Sequence, residues 1–308
     1  MTTVYELSRE RMSVARHVFA EAWFDKAFIN SVFEGRQPGR LFVDDPEKPA
    51  AGLLCRTFGY YVAGDSESTE MRRFIREAPP EPGVFQKLYG YVPAGNAWKQ
   101  ALLDDHGELL EIIPRHGFKW FPADEALSVV EGWRDRLPAG ATMVEIDRAL
   151  AERIDCEWKQ FIAIYWLSHD LYAEGGFGYC LMIGDTIASI AYTISISSTE
   201  ANIDVETAEP FRRQGLSTLT SSAYIERCQA LGLIPTWDSD GNNPASIATA
   251  RRLGFQEGPP FAQLSPPRGT RLLGEAGVWT ESELEPGVTI WSCPSSSWVL
   301  QTCCVTAH

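Results

Sequence analysis

The chain has 308 residues, with 27 Lys and Arg against 41 Asp and Glu, a formal net charge of −14. Hydrophobic residues make up 44% and ten residues are Trp, which is material for a packed core and excludes a globally disordered chain. The acidic balance opposes binding to a phosphate backbone, so no nucleic-acid partner is expected. No segment reaches the roughly 20 apolar residues of a membrane helix, so no membrane span is expected either.

At ~100–200 residues per domain, the length suggests two domains. The first residues, Met1-Thr-Thr-Val-Tyr-Glu, show no basic stretch followed by an apolar run, and the expected location is cytoplasmic. Met12, Ala15, Phe19 and Trp23 recur at three- and four-residue spacing and predict one helix face. Arg40–Asp45 and Ala51–Cys55, around Pro46-Glu-Lys-Pro, predict two strands and a turn. Phe58–Val62 adds to that sheet and Gly64-Asp65 ends it. Trp120–Trp133 reads as an exposed helix region, and Leu137-Pro-Ala-Gly-Ala is the best linker candidate.

The second half is more regular. Asp147–Ile154 and Trp158–Leu167 predict helices, and Gly178–Ile183, Gly184-Asp185 and Thr186–Ser197 predict a hairpin. Ala201–Thr207 predicts a strand with Asn202, Asp204 and Glu206 on one face and Ile203 and Val205 on the other. Gly215–Leu231 predicts a helix with Leu219, Ala223, Tyr224, Cys228 and Leu231 on its inner side. Leu233–Trp237 is a short strand, and Ser246–Leu253 a helix stopped by Gly254. Strand, helix, strand, helix in this order predicts a mixed α/β sheet. From Pro259 the Pro and Ser clusters suggest an irregular tail, to which Val288-Thr-Ile-Trp adds an edge strand.

Seven cysteines, Cys55, Cys156, Cys180, Cys228, Cys293, Cys303 and Cys304, are too scattered for a disulfide framework. Cys293, Cys303, Cys304 and His308 do not match a zinc spacing, and no metal is expected. Val305 stands where prenylation needs a Cys.

The stretch that carries chemistry is Val205-Glu-Thr-Ala-Glu-Pro-Phe-Arg-Arg-Gln-Gly-Leu-Ser. A strand ends, a loop with two Arg and one Gly follows, and a helix begins. Helix N-termini present unpaired N–H groups and a partial positive charge. With Arg212, Arg213 and Gly215 they form an anion site suited to a pyrophosphate. The loop is neither a Walker motif nor GxGxxG. About 30 residues on stands Asn243-Pro-Ala-Ser-Ile-Ala-Thr-Ala-Arg-Arg-Leu-Gly-Phe.

Arg212-x-x-Gly215-x-Ser217, then Asn243-x-x-Ser246 and Leu253-Gly-Phe255, resembles the GNAT superfamily of N-acetyltransferases, in a bacterial branch with an additional N-terminal region. The resemblance implies a mixed-sheet acyl-CoA N-acyltransferase fold, in two tandem α/β domains. Residues 1–138 are then an α/β domain without the Arg/Gly loop, 139–265 the acetyl-CoA-binding catalytic domain, and 266–308 a tail. It implies acetyl-CoA as co-substrate, with the pyrophosphate on the loop Arg212, Arg213, Gln214, Gly215, Leu216 and Ser217. It also implies pantetheine beside the main chain of Val205 and Thr207, with Asn243 and Ser246 nearby. The implied reaction is transfer of an acetyl or short acyl group from acyl-CoA to an amine of a small-molecule or other acceptor, by direct attack on the thioester. Two departures are Ser217, where Gly or Ala is usual, and Ala250, where many members place a Tyr that protonates the leaving thiolate.

An amine attacks a thioester only when unprotonated, so the site needs a proton acceptor. Glu206 is the first candidate and Asp238 the second; Asp204 and Glu200 share the face of Glu206. Ala250 in the usual Tyr position makes a non-catalytic acyl-CoA sensor one alternative, and the fold alone leaves O-acyl transfer or acyl-CoA decarboxylation as others. His169-Asp170 with Cys180 is a weaker pattern for a Cys–His nucleophile. His106 and His116 lack partners at ligand spacing. Trp166, Trp237, Tyr60 and Tyr61 read more simply as core than as pocket lining.

Overall fold

The computed structural model describes residues 2–23, 26–56, 59–77, 90–93, 97–106, 110–158, 162–265, 270–274, 280–286, 288–293 and 300–304. The chain enters on β1 (Thr2–Leu7), makes a 3-10 segment over Met12–Phe19 and reaches α1 (Lys26–Phe33). Then come β2 (Arg40–Val43), β3 (Ala51–Arg56), β4 (Gly59–Gly64), α2 (Thr69–Glu77), β5 (Gly90–Pro93) and α3 (Ala97–His106). Next are β6 (Glu111–Trp120), α4 (Asp124–Glu131), β7 (Ala141–Glu145), α5 (Arg148–Trp158), α6 (Ile162–Trp166) and α7 (His169–Gly175). The hairpin β8 (Gly178–Ile183) and β9 (Thr186–Ile196) precedes β10 (Glu200–Thr207), α8 (Leu216–Ala230), β11 (Ile234–Asp240) and α9 (Pro244–Arg252). The chain continues through β12 (Phe255–Glu257), β13 (Phe261–Ser265), β14 (Thr270–Gly274), β15 (Thr280–Glu285), β16 (Val288–Cys293) and β17 (Leu300–Cys304).

These residues fall into two compact units. The first comprises Met1–Ala22, Gly39–Pro114 and Pro260–His308; the second comprises Trp23–Pro38 and Arg115–Pro259. The chain passes back and forth between them, whereas the sequence reading draws consecutive blocks 1–138, 139–265 and 266–308. The reason lies in particular contacts. Helix α1 packs on β9 and β10, far downstream in sequence. The Leu137–Ala141 stretch is a turn inside the second unit, with Gly140 at φ 75° leading into β7, which pairs with β8.

In the first unit the strands run β15-β16-β1-β2-β3-β4-β5-β13. The β2–β3 and β3–β4 pairs are antiparallel, as the apolar runs around the Pro-rich turn predict. Phe42, Leu53, Val62, Met71, Phe74, Trp98 and Leu102 form the core. Gly64 ends β4 at φ 82°, and a Cβ there would stand 2.0 Å from the Ala50 carbonyl oxygen, so no other residue fits that turn. The described tail residues are not irregular. The β-branched run at Val288 pairs along β1, and β14 pairs with β17. Pro266-Pro267, Ser295–Ser297 and Phe58 lie outside the described residues, as do the side chains of Cys293, Cys303, Cys304 and His308.

The first predicted helix is a 3-10 segment with Met12, Ala15 and Phe19 buried, and Trp23 lies beyond its end. Trp23 belongs to the second unit, where its ring covers Gly258 and the Lys119 ammonium, 5.1 Å from the ring centre.

In the second unit the order is β6-β11-β10-β9-β8-β7, with β12 on β6. Every pairing is antiparallel except β10 with β11. A parallel pair needs a crossover, and α8 supplies it. Leu219, Ala223, Tyr224 and Cys228 are buried as predicted, but Leu231 is exposed. Helix α8 also buries Thr218, Thr220, Ser221 and Ser222. Small side chains permit this close approach, and the Thr220 and Ser222 hydroxyls donate back to the Leu216 and Thr218 carbonyls. The hydroxyl-rich helix thus hides the apolar periodicity that a one-sided reading relies on.

Candidate functional site

The site begins where β10 and β11 part. Their parallel register runs from Glu200 opposite Ile234 to Ile203 opposite Trp237 and stops there. β10 continues to Thr207 against β9, and β11 continues to Asp240 against β6. The edge of β10 from Asp204 to Thr207 therefore faces an opening. Successive residues of a strand send their backbone groups to opposite edges. The Ala208 N–H donates to the Ala188 carbonyl, and the Glu206 carbonyl accepts from the Ser189 hydroxyl. Both point to β9, so the backbone groups of Val205 and Thr207 point into the opening. Opposite Asn202 and Ile203, β9 carries a β-bulge at Ile194, one step before the split, and it bends β9 locally.

Beyond Thr207 a short 3-10 turn over Glu209–Phe211 leads into the Arg/Gly loop. Arg213 has φ 64° and Gly215 φ 78°, left-handed values on either side of Gln214. Alternation of this kind turns consecutive N–H groups toward one concave face. Among the described residues no acceptor takes the N–H of Arg213, Gln214, Gly215, Leu216 or Ser217, whereas Thr218 and Leu219 already donate to the Gly215 carbonyl. Five adjacent N–H groups thus stand unpaired at the N-terminus of a 15-residue helix, an arrangement able to receive an anion. A Cβ on Gly215 would meet nothing within 4 Å; only its backbone angle demands glycine. Arg212 donates to the Thr207 carbonyl at 3.1 Å and pairs with Glu206 at 3.0 Å. Gln214 donates to the Pro210 carbonyl at 3.3 Å. Arg213 is exposed and has no partner among the described residues.

Carboxylates stand on both diverging strand ends. Glu206 is about two-fifths exposed and carries Arg212. Asp238 is held twofold by Arg115, at 3.0 and 2.5 Å. Asp204 accepts the Tyr192 hydroxyl at 2.9 Å on Oδ2 and the Val205 N–H at 2.9 Å on Oδ1. Desolvation raises its carboxyl above the ordinary Asp value, against the opposing pull of these two bonds. Deeper on the same face, the Lys119 ammonium meets Glu200 at 2.6 Å, and Asn202 donates to the Thr236 hydroxyl at 3.0 Å. The predicted alternation of β10 holds, since Ile203 is buried on the opposite face and Val205 packs beside it.

Asn243 and Ser246 have local tasks. The Asn243 side chain caps α9 by accepting the Ser246 N–H at 3.1 Å, and the Ser246 hydroxyl accepts from the Trp237 indole at 3.0 Å. Ala250 is fully buried on the inner side of α9. The Cys–His pattern is not brought together: His169 sits on Asp155 at 2.9 Å, while burial pushes the Cys180 thiol up to about 12. Trp166 is core, its indole donating to the Thr193 carbonyl, and Trp237 packs edge-on against Phe255. Tyr60 and Tyr61 are buried in the first unit. His116 pairs with Glu257. Among the described residues no group of three or more His, Cys, Asp or Glu is arranged to hold a metal ion, and no helix is long and apolar enough to cross a membrane.

Arg115 and Tyr192 were missed from sequence. Each lies on a strand that pairs with a candidate strand, and only the register sets Tyr192 opposite Asp204 and Gly117, two residues from Arg115, opposite Asp238.

A family model described as GNAT acetyltransferase matches residues 16–263. The uncharacterized N-acetyltransferase YdfB of Bacillus subtilis (strain 168) is 25% identical over 257 residues, spanning 83% of this chain and 96% of that protein. A GCN5-related N-acetyltransferase-like protein from Streptococcus suis 89/1591 matches with a TM-score of 0.67 at 21% identity, over 84% of this chain and 99% of that one. A tandem GNAT protein from the clavulanic acid biosynthesis pathway matches with a TM-score of 0.51 at 14% identity, over 83% of this chain and 92% of that one. At these identities the two structures bear on the fold.

Proposed function

We propose, because this chain belongs to the GNAT acetyltransferase family, that its second unit binds acetyl-CoA across the β10–β11 opening and transfers the acetyl group to a small-molecule amine. The observation that carries the reading is the run of free N–H groups from Arg213 to Ser217 beside the open edge of Val205 and Thr207. A pyrophosphate fits the first, and an extended amide-bearing arm fits the second as an added strand would. Asn243 and Ser246 lie at the start of α9, which follows β11 directly, and are proposed to border that arm.

The chemistry asked of the chain is modest. The amine nitrogen attacks the thioester carbonyl carbon, a C–N bond forms and the C–S bond breaks, and no covalent enzyme intermediate is needed. The main-chain N–H groups on the open edge of β10 polarise the carbonyl oxygen. Glu206 and Asp238, the carboxylates expected to handle the proton, stand at the rim of the opening, each with an arginine. We place them on the approach of a cationic amine, where they concentrate it and position it. With Ala250 in place of a Tyr, the thiolate leaves without a dedicated acid on α9.

The test is calorimetric titration with acetyl-CoA, followed by CoA release across a panel of alkylamines, polyamines, amino sugars and aromatic amines. Arg213→Glu places a like charge against the pyrophosphate and should weaken acetyl-CoA more than tenfold with the fold intact. Unchanged affinity in this variant would sink the assigned cradle. Tight binding with no CoA release from any amine would favour the sensor reading.

A further inference from the structure

We infer that Asp204 is a masked proton acceptor, closed off in the free chain by the Val205 N–H and uncovered when the acyl-pantetheine arm takes that N–H. The inference rests on the acetyl-CoA reading above and deepens it.

Three observations carry it. Glu206 and Asp238 each hold a guanidinium, whereas Asp204 has no cation among the described residues within ion-pair distance. Its two oxygens are each taken by one neutral donor, Tyr192 and Val205. These donors differ in kind. Tyr192 is fully buried opposite Asp204 in the β9–β10 register, its ring 6.4 Å from that of Tyr165, so its hydroxyl is a fixed anchor. The Val205 N–H belongs to the edge that β11 has left, where an incoming chain finds its own backbone partners. A carbonyl of the arm and Asp204 Oδ1 therefore compete for one donor. Arg115, already twofold with Asp238, still acts on Asp204 from beyond ion-pair distance.

The consequence is an order of events. In the free chain an amine meets a carboxylate whose oxygens are both engaged. Once the arm accepts the Val205 N–H, Oδ1 loses its donor while Tyr192 still holds Oδ2. The released oxygen takes one proton from the acceptor ammonium. The neutral nitrogen attacks the thioester carbon, the C–N bond forms, and the sulfur leaves with the electron pair of the C–S bond. The second nitrogen proton passes to sulfur through water, and the proton on Asp204 returns to solvent. The sum is ammonium plus thioester giving amide, thiol and one proton.

Two variants separate masking from mere charge. Asp204→Ala removes the mask. Its affinity for acetyl-CoA should rise at least threefold, while its affinity for adenosine 3′-phosphate 5′-diphosphate, which has the pyrophosphate but no arm, should stay within twofold of wild type. Asp204→Asn keeps an oxygen for the Val205 N–H but cannot accept the proton. Its acetyl-CoA affinity should stay within threefold, and CoA release with the best amine of the panel should fall about 10²–10⁴-fold. If Asp204→Ala binds acetyl-CoA no more tightly, or gains equally for the armless nucleotide, the masking is wrong. If Asp204→Asn keeps turnover within threefold, Asp204 is not the acceptor. Should the alanine variant fail to fold, the asparagine variant decides the proton acceptor and the Val205 amide resonance of the wild-type chain decides the masking: it should shift on adding acetyl-CoA and stay in place with the armless nucleotide, and equal shifts with both would overturn it. Absence of wild-type acetyl-CoA binding would remove the acetyl-CoA reading itself, a result distinct from either failure.

Discussion

A chain cut to residues 139–308 should fail to fold. The cut retains the hairpin, the Arg/Gly loop and α9, and by sequence it contains a whole domain. It nevertheless removes Trp23–Pro38 and Arg115–Pro138 from the second unit. With them go the β6 residues that pair with β11, together with α4 and α1. Phe118, Trp120, Val130 and Trp133 are all buried, and burial of each contributes about 1.5–3 kcal/mol. Their sum rivals the 5–15 kcal/mol that typically separates folded from unfolded states. Polar losses add to this. Gln37 bridges the Ile194 carbonyl and the Ile196 N–H, Glu34 accepts from Ser198, and Trp133 donates to Glu226. Residues 260–308 would meanwhile lose the rest of the first unit. The expected result is an insoluble chain, or one with no cooperative melting transition and no near-UV dichroism. A soluble 139–308 with a sharp transition would show that the second unit does not need its early segments.

Lys119→Met should destabilise the protein by about 3–5 kcal/mol, the usual cost of leaving a buried charge without its partner. Lys119 and Glu200 are both buried, their charges 2.6 Å apart, and Glu200 Oε2 has no hydrogen-bond partner among the described residues. Burial already raises the Glu200 carboxyl above the ordinary Glu value, with Lys119 acting against that rise and Lys26 doing so more weakly. Removing the ammonium pushes it further up. The folded state then holds a proton that the unfolded state has released, so stability falls as pH rises from the ordinary Glu value through the raised one. The loss should be full above that window and smaller at pH 4.5. Glu200→Gln in the same chain should recover part of it by removing the uncompensated charge. Denaturant midpoints at both pH values measure this. A single variant within 1 kcal/mol of wild type above that window would mean that water or Lys26 already neutralises Glu200.

The backbone form of the Arg/Gly loop was legible in the chain itself. Arg212-x-x-Gly215 after a strand and before a helix is local, and the left-handed angles at Arg213 and Gly215 are properties of neighbouring residues. The alternation of β10 and the cap of α9 by Asn243 are local in the same sense. The sequence also identified the family, because its motifs sit close together in order. What tertiary structure alone decided is which unit each segment joins and what each carboxylate meets. The helix at Lys26–Phe33 packs on strands more than 150 residues away in sequence. Glu206 and Asp204 are two residues apart on one strand face, equivalent by pattern. Yet one is paired with Arg212 near the surface, and the other is desolvated between Tyr192 and its own neighbour's N–H. Strand periodicity assigns a face, but register and the point at which two strands separate arise from long-range packing, which no local spacing encodes.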